Sequence, residues 1–399
     1  LSLPVVRLRP SAKVRLRAAH PWIYRDDIEE RGGIPAGAVV VEREGGAVHG
    51  VALYSPQSRI ALRWLLRGKG PHDAFDLAAL VRTRVLESAA RRAALARECS
   101  QMRLLASEAD GVPGLIIDRY GTVAALQVTN AALEPLIPML ADLLVQELGC
   151  SAVVERDEVQ VRKLEGLELR SGVLRGSVDG PIEVREGEVR CAVDVLAGQK
   201  TGAFLDQRQN HLAFGAQVRA RGARRVLDAF CHDGLFGLQA LAGGAEEVIF
   251  LDSSAPALER VQQNLARNGW GERGGIERRA ANAFHELRAL RDAGARFDAI
   301  ALDPPAFAKS RQEVQAAWRG YREINAQALR LLNPGGVLWT CSCSYNLSPA
   351  DFEEVVREAA ADADRRVLLR EIRGQADDHP VLLTLPESRY LKCLVLETP

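Results

Sequence analysis

From about residue 186 onward, apolar runs alternate with amphipathic stretches. The runs are RRVLDAF (224–230), EEVIFLD (246–252), GGIERR (274–279), FDAIALD (297–303) and GGVLWTCSC (335–343), with helical patterns such as PALERVQQNLARNG (256–269) between them. Strand–helix–strand repetition forces crossover connections, so this region predicts an α/β fold with a parallel, doubly wound sheet. YLKCLVLE (390–397) follows HPVLLTLPE (379–387) with no helical stretch between. That pair predicts an antiparallel hairpin at one edge of a mostly parallel seven-stranded sheet.

The chain has 399 residues, more than one core organises, and the pattern divides it into 1–70, 71–185 and 186–399. The first segment alternates apolar and polar residues with Gly-rich breaks, as in GAVVVEREGGAVHGVALYSPQSRIALRWL (37–65), and predicts a small β-barrel. It carries twelve Lys and Arg against six Asp and Glu, although the whole chain has no net charge. A basic module on a neutral body suits a polyanion, and an ordinary solvated surface accounts for it as well. Trp22 and Arg25 in AHPWIYRDDI (19–28) could stack bases or fill the module's core. The second segment reads as α+β, with helices over 75–97 and 133–148 and no catalytic spacing.

No apolar run has the length of a membrane span and no signal-peptide core is evident, so the cytoplasm is the expected compartment. Seven cysteines at wide spacings include no C-x-x-C pair, which argues against zinc or a redox motif, and no metal is expected. Cys341 and Cys343 would lie roughly 6.6 Å apart along a regular strand, too far for an ordinary bridge.

In doubly wound sheets the ligand sits beyond the carboxyl ends of the strands. Asp228, Asp252 and Asp303 fall there. Asp252 ends the second strand, where a carboxylate can accept hydrogen bonds from a ribose diol. The loop DAFCHDGLFG (228–237) holds only Gly234 and Gly237, a poor fit to the close backbone approach that a pyrophosphate needs. S-adenosylmethionine (SAM), which has no phosphate, suits the loop better than NAD does. After the fourth strand, ALDPPAFAKS (301–310) sets two prolines behind an acid. They hold an extended lip that can grip the polar edge of a planar base, with Phe307 near its face.

These blocks resemble the SAM-dependent bacterial large-subunit (23S) rRNA cytosine-C5 methyltransferases along essentially the whole chain. The resemblance is carried by GQKTGAFLDQRQN (198–210), DPPAFAKS, RGYREIN (319–325), CSCS (341–344) and DHPVLLTLPESRYLKC (378–393). It implies an N-terminal PUA-type RNA-binding domain opening at HPWIY, a linking α+β domain and a Rossmann-like methyltransferase domain. It implies SAM contacts at Phe204, Gln207, Arg208, Asp228, Phe230, Gly234, Asp252, Ser253, Asn282, Asp303 and Pro304. Asn282 stands where the family usually has an acid. Substrate contacts are implied at Lys200, Pro305, Phe307, Trp22 and Arg25. The implied partner is 23S rRNA or a partly assembled large subunit, and the resemblance is compatible with a homodimer.

Cytosine C5 is a poor nucleophile unless a thiolate adds at C6. Aligning the family's Ser-Cys-Ser places Cys343 in the nucleophile position, with Asp303 as the acid partner at the N3/N4 edge. Cys341, Cys191 and Cys393 then read as packing residues, and the strand is expected to end or bend at 343. Ala306 stands where another class of RNA cytosine-C5 enzyme has a second cysteine. Two other readings remain: a base-nitrogen methyltransferase that needs no thiol, and a non-catalytic RNA-binding assembly factor.

Overall fold

The run at 297–302 is the central strand of a seven-stranded sheet in the computed structural model of the chain, which describes residues 3–29, 32–43, 45–68, 75–198, 200–308 and 310–399. Its strands are β1 (Arg225–Ala229), β2 (Glu247–Asp252), β3 (Ile276–Ala280), β4 (Phe297–Leu302), β5 (Leu332–Ser342), β6 (Leu368–Arg373) and β7 (Lys392–Glu397). Their spatial order is β3-β2-β1-β4-β5-β7-β6. The first five are parallel, and β7 runs antiparallel to both β5 and β6.

Both faces of the sheet are covered, which is why β2 and β4 carry continuous apolar runs, VIFL and AIAL, instead of alternating ones. On one face, α1 (Arg208–Arg221), α2 (Leu235–Ala242) and α3 (Ala255–Arg267) bury Phe214, Phe236 and Val261 against Trp339, Cys341 and Cys393. On the other, α4 (Ala283–Asp292), α5 (Val314–Leu331) and α6 (Pro349–Asp362) bury Leu287, Tyr321 and Phe352 against Leu302, Leu338 and Leu394.

The edge hairpin forms, but its partner strand is not the one expected. HPVLLTLPE is not a strand; β6 is LLREIR, and residues 378–388 belong to the other unit of the chain. The reason is local. Pro380 and Pro386 lack ladder donors, and the segment is anchored by Asp378, whose carboxylate accepts the Arg103 N–H at 2.8 Å. The Arg92 guanidinium holds the Asp378 carbonyl at 3.1 Å.

The chain folds as two units, the first comprising 1–184, 192–205 and 378–388, the second the remainder. The first unit contains two five-stranded sheets. One orders its strands Val5–Leu8, Gly37–Arg43, Val48–Tyr54, Leu62–Arg67 and Trp22–Ile23 around Ile23, Val39 and Leu62. The other is built from Gln101–Ala106, Leu115–Tyr120, Val123–Val128, Ala152–Asp157 and Arg170–Arg175, with helices Leu77–Arg91 and Ile137–Gln146. The boundary expected near residue 70 falls among residues 69–74, outside the described residues.

Candidate active site

The loop leaving β1 is held in a costly conformation. Phe230 and His232 are both left-handed, at φ 62° and 48°, although neither is glycine. Asp252, at the end of β2, restrains it: one carboxylate oxygen accepts the His232 N–H at 3.0 Å and the other the Ser254 N–H at 2.9 Å. Both oxygens keep lone pairs for a further donor. Gly234 and Gly237 serve packing here. A Cβ on Gly237 would lie 2.3 Å from the Phe250 ring, and one on Gly234 3.0 Å from it. Ser253, next along the chain, is exposed.

Asp228 is 1% exposed. One of its oxygens accepts the Gly237 N–H at 2.8 Å, and the other is buried with no partner among the described residues. Its pKa is pushed up to about 7, by burial first and then by the Asp303 and Asp252 carboxylates, against the Gly237 N–H and His211. His211 on α1 is sequestered too. Burial works against its cation, but the Glu186 carboxylate 2.9 Å from Nδ1, with Asp303 and Asp228 beyond, outweighs that and raises its pKa. Three carboxylates sharing one field repel an anionic pyrophosphate and favour a cation. SAM carries a sulfonium and an ammonium, and the orphaned Asp228 oxygen gives it an acceptor, so the residues present fit SAM.

The Asn282 side-chain oxygen caps α4 by accepting the Phe284 N–H at 2.9 Å. Gln207 and Arg208 are buried at the start of α1, and the Gln207 side-chain oxygen Oε1 accepts from the Asn210 side-chain amide at 2.6 Å. In the first unit, the Lys200 ammonium lies 4.3 Å from the centre of the Phe204 ring. Also in that unit, the Trp22 indole N–H donates to Glu108 at 2.8 Å. The Arg25 guanidinium donates to the carbonyls of Ser55 and Ser58 at 2.7–3.0 Å. Arg25 thus braces the module itself, and Trp22 ties it to the helical turn at Ser107–Asp110 within the same unit.

The two catalytic candidates follow neighbouring strands, Asp303 after β4 and Cys343 after β5. Leu302, the last residue of β4, pairs with Thr340, two residues before β5 ends. Asp303 is partly exposed, Pro304 buried and Pro305 exposed. Phe307 packs in an aromatic group, its ring 4.6 Å from Tyr321, 5.8 Å from Phe284 and 6.4 Å from Phe230. A Cβ on Gly320 would lie 3.2 Å from that ring, which explains the glycine in RGYREIN.

β5 ends at Ser342, so strict alternation stops before Cys343. Cys341 is fully buried opposite Cys393, and burial raises its thiol well above the ordinary range. Cys231, near Asp228, is raised likewise by burial. None of the seven cysteines is in a disulfide, and Cys343 alone is partly exposed. Serines flank it, each buried and tied to Tyr321. The Tyr321 hydroxyl is 3.1 Å from Ser342 Oγ, which donates to it, and 2.9 Å from Ser344 Oγ. Ser344 Oγ also accepts the Ala308 N–H at 3.3 Å, joining the Cys343 loop to the Asp-Pro-Pro lip.

Lys392 completes this side of the site. It faces Ser342 in the β5–β7 ladder, is 5% exposed, and donates to the carbonyls of Ser344 at 2.7 Å and Leu347 at 3.0 Å. Neither Tyr321 nor Lys392 is assigned a role by spacing alone. The available signals were a lysine inside the apolar run YLKCLVLE and a tyrosine within a distinctive block. Among the described residues, no group of His, Cys, Asp and Glu could hold a metal ion, and no helix is long and apolar enough to cross a membrane.

A strained loop after β1, carboxylates ending β1 and β2 and following β4, and sheet order β3-β2-β1-β4-β5-β7-β6 together define a SAM-dependent methyltransferase. The family profile described as S-adenosylmethionine-dependent methyltransferase matches residues 171–370, and that of the PUA-like domain matches residues 6–67. The chain belongs to the ribosomal RNA large subunit methyltransferase I family. It is 39% identical over 397 residues to the protein of that name from Shewanella denitrificans, covering 98% of each chain. The Photobacterium profundum protein of the same name is 38% identical over 388 residues, covering 94% of this chain and 95% of that one. Among solved structures, SMU.776, a proposed methyltransferase crystallised with SAH, aligns over 100% of both chains with a TM-score of 0.82 at 18% identity. That likeness shows the fold.

Proposed function

We propose that this chain methylates C5 of a cytosine in large-subunit ribosomal RNA through a transient covalent bond between Cys343 and C6 of the base. One observation carries the reading: of seven thiols, the only partly exposed one follows β5, in a loop tied through Ser344 to the Asp-Pro-Pro lip.

The Cys343 thiolate adds to C6, the S–C6 bond forming as the C5–C6 π electrons move onto C5. SAM, when bound, supplies the methyl group that C5 takes up and leaves as S-adenosylhomocysteine. Loss of the C5 proton to a base then drives elimination, which breaks S–C6 and returns the electron pair to sulfur. Asp303 holds the N3/N4 edge of the ring, where a shared proton makes C6 more electrophilic. The Asp228, Asp252 and Asp303 carboxylates orient the cationic cofactor.

The relatives' name, the PUA-like match at 6–67 and the basic balance of residues 1–70 support rRNA, free or in a partly assembled subunit, as substrate. Salt-sensitive backbone contacts would then supply affinity, and a paired target would have to be flipped out. The test is mass spectrometry of large-subunit rRNA from a deletion strain. A single 5-methylcytidine should vanish, return with the native gene, and stay absent with C343A. Full methylation by C343A, or a methyl group on a ring or amino nitrogen, would sink the reading.

A further inference from the structure

We propose that Lys392 is the positioning residue that fixes the Cys343 loop and serves as counterion to the Cys343 thiolate. The inference rests on Cys343 as nucleophile, and its test separates the two.

The argument begins with cost. A buried lysine followed on its strand by Cys393, Leu394, Val395 and Leu396 places an ammonium where burial is unfavourable. It donates to two carbonyls, which are dipoles and not charges. Among the described residues no carboxylate forms an ion pair with it, and the charge that acts on it is that of Cys343. Burial pulls its pKa down to about 8, and the Cys343 charge opposes the fall.

The carbonyls it holds have a second meaning. Ser344 directly follows the nucleophile and Leu347 closes the same turn, so one ammonium pins both ends of a four-residue arc. Three N–H bonds radiating from one atom suit this vertex, and two of them are used. Titratable groups that face Cys343 include Lys392 on β7 and Tyr321 on α5, both of which feel its charge. Asp303, after β4, acts on Cys341. Lys392 is therefore a cation placed to favour thiolate over thiol. The same charge assists departure of sulfur at the end of the cycle, when the pair returns to it.

The experiment follows iodoacetamide alkylation of Cys343 against pH, read by peptide mass spectrometry on the full chain. In K392M the half-maximal pH should rise by about one unit, a roughly tenfold loss of thiolate near neutrality, whereas K392R should stay close to native. Overlapping K392M and native profiles would overturn the inference. If K392M does not fold, K392Q removes the charge, keeps a donor and should shift the profile in the same way. Alkylation does not depend on turnover. An active C343A with a shifted K392M profile would therefore refute only the nucleophile, and an inactive C343A with an unshifted profile would refute only Lys392.

Discussion

The Tyr321 hydroxyl stands 2.9 Å from Ser344 Oγ, so α5 positions the residue that follows Cys343. Y321F would deprive two fully buried serine hydroxyls of their phenol partner, at a cost of about 1–3 kcal/mol. The measurement is urea denaturation paired with single-turnover methylation. Turnover should fall by at least tenfold with SAM binding unchanged, and native turnover would show that the loop needs no such tether.

The Asp228 carboxyl, raised to about 7, ties cofactor affinity to pH. In the free protein its neutral form is favoured. Its contribution to folding stability is therefore full below the ordinary aspartate range and is lost as pH rises through about 7. A bound cation favours the ionised form instead. SAM should bind more tightly at pH 8 than at pH 6, with proton release near neutrality, seen by calorimetry in two buffers of different ionisation enthalpy. D228N should abolish both effects, and a native affinity constant from pH 6 to 8 would contradict this account.

The two neighbouring cysteines should behave oppositely. C341A empties a small space in a closed core and should cost about 1 kcal/mol, as single-methylene deletions do, while methylation proceeds. C343A should leave the unfolding midpoint almost unchanged and end methylation. An inactive but folded C341A would reverse the assignment.

Gly237 faces the Phe250 ring without room for a methyl group. G237A should destabilise the chain by roughly 1–3 kcal/mol through overpacking and weaken SAM binding. F250L in the same chain should recover at least half of that loss, because the clash is with the ring. Thermal unfolding of the single and double variants decides it, and additive losses would place the fault elsewhere.

The sheet was legible because a strand buried on both faces reads as an unbroken apolar run, as FDAIALD and EEVIFLD do. The sixth strand was not. VLLTL is more apolar than LLREIR, yet β6 is an edge strand with Leu369 and Ile372 exposed, so apolarity was the wrong guide there. The ends of β1 and β2 announced their aspartates through chain position. Tyr321 and Lys392 could not be read in this way, because their roles depend on β7 lying beside β5 and on α5 crossing the same face. Pairings between segments distant in sequence leave no periodicity. Lysine itself offered a faint sign: the chain has only six against 46 arginines, and Lys200, Lys309 and Lys392 all lie in the blocks that carry the resemblance.

The position of β7 between β5 and β6 bears on how the catalyst comes into being during synthesis. Asp228, Asp252, Asp303, Tyr321 and Cys343 are all made before it. A nascent chain ending short of Lys392 therefore has its whole set of proposed reacting groups but an open ladder along β5, and β6 has no strand to pair with. Only when the seventh strand slides into that gap does the thiol gain its cation. On the proposed role of Lys392, an unfinished chain would therefore not present an activated thiolate.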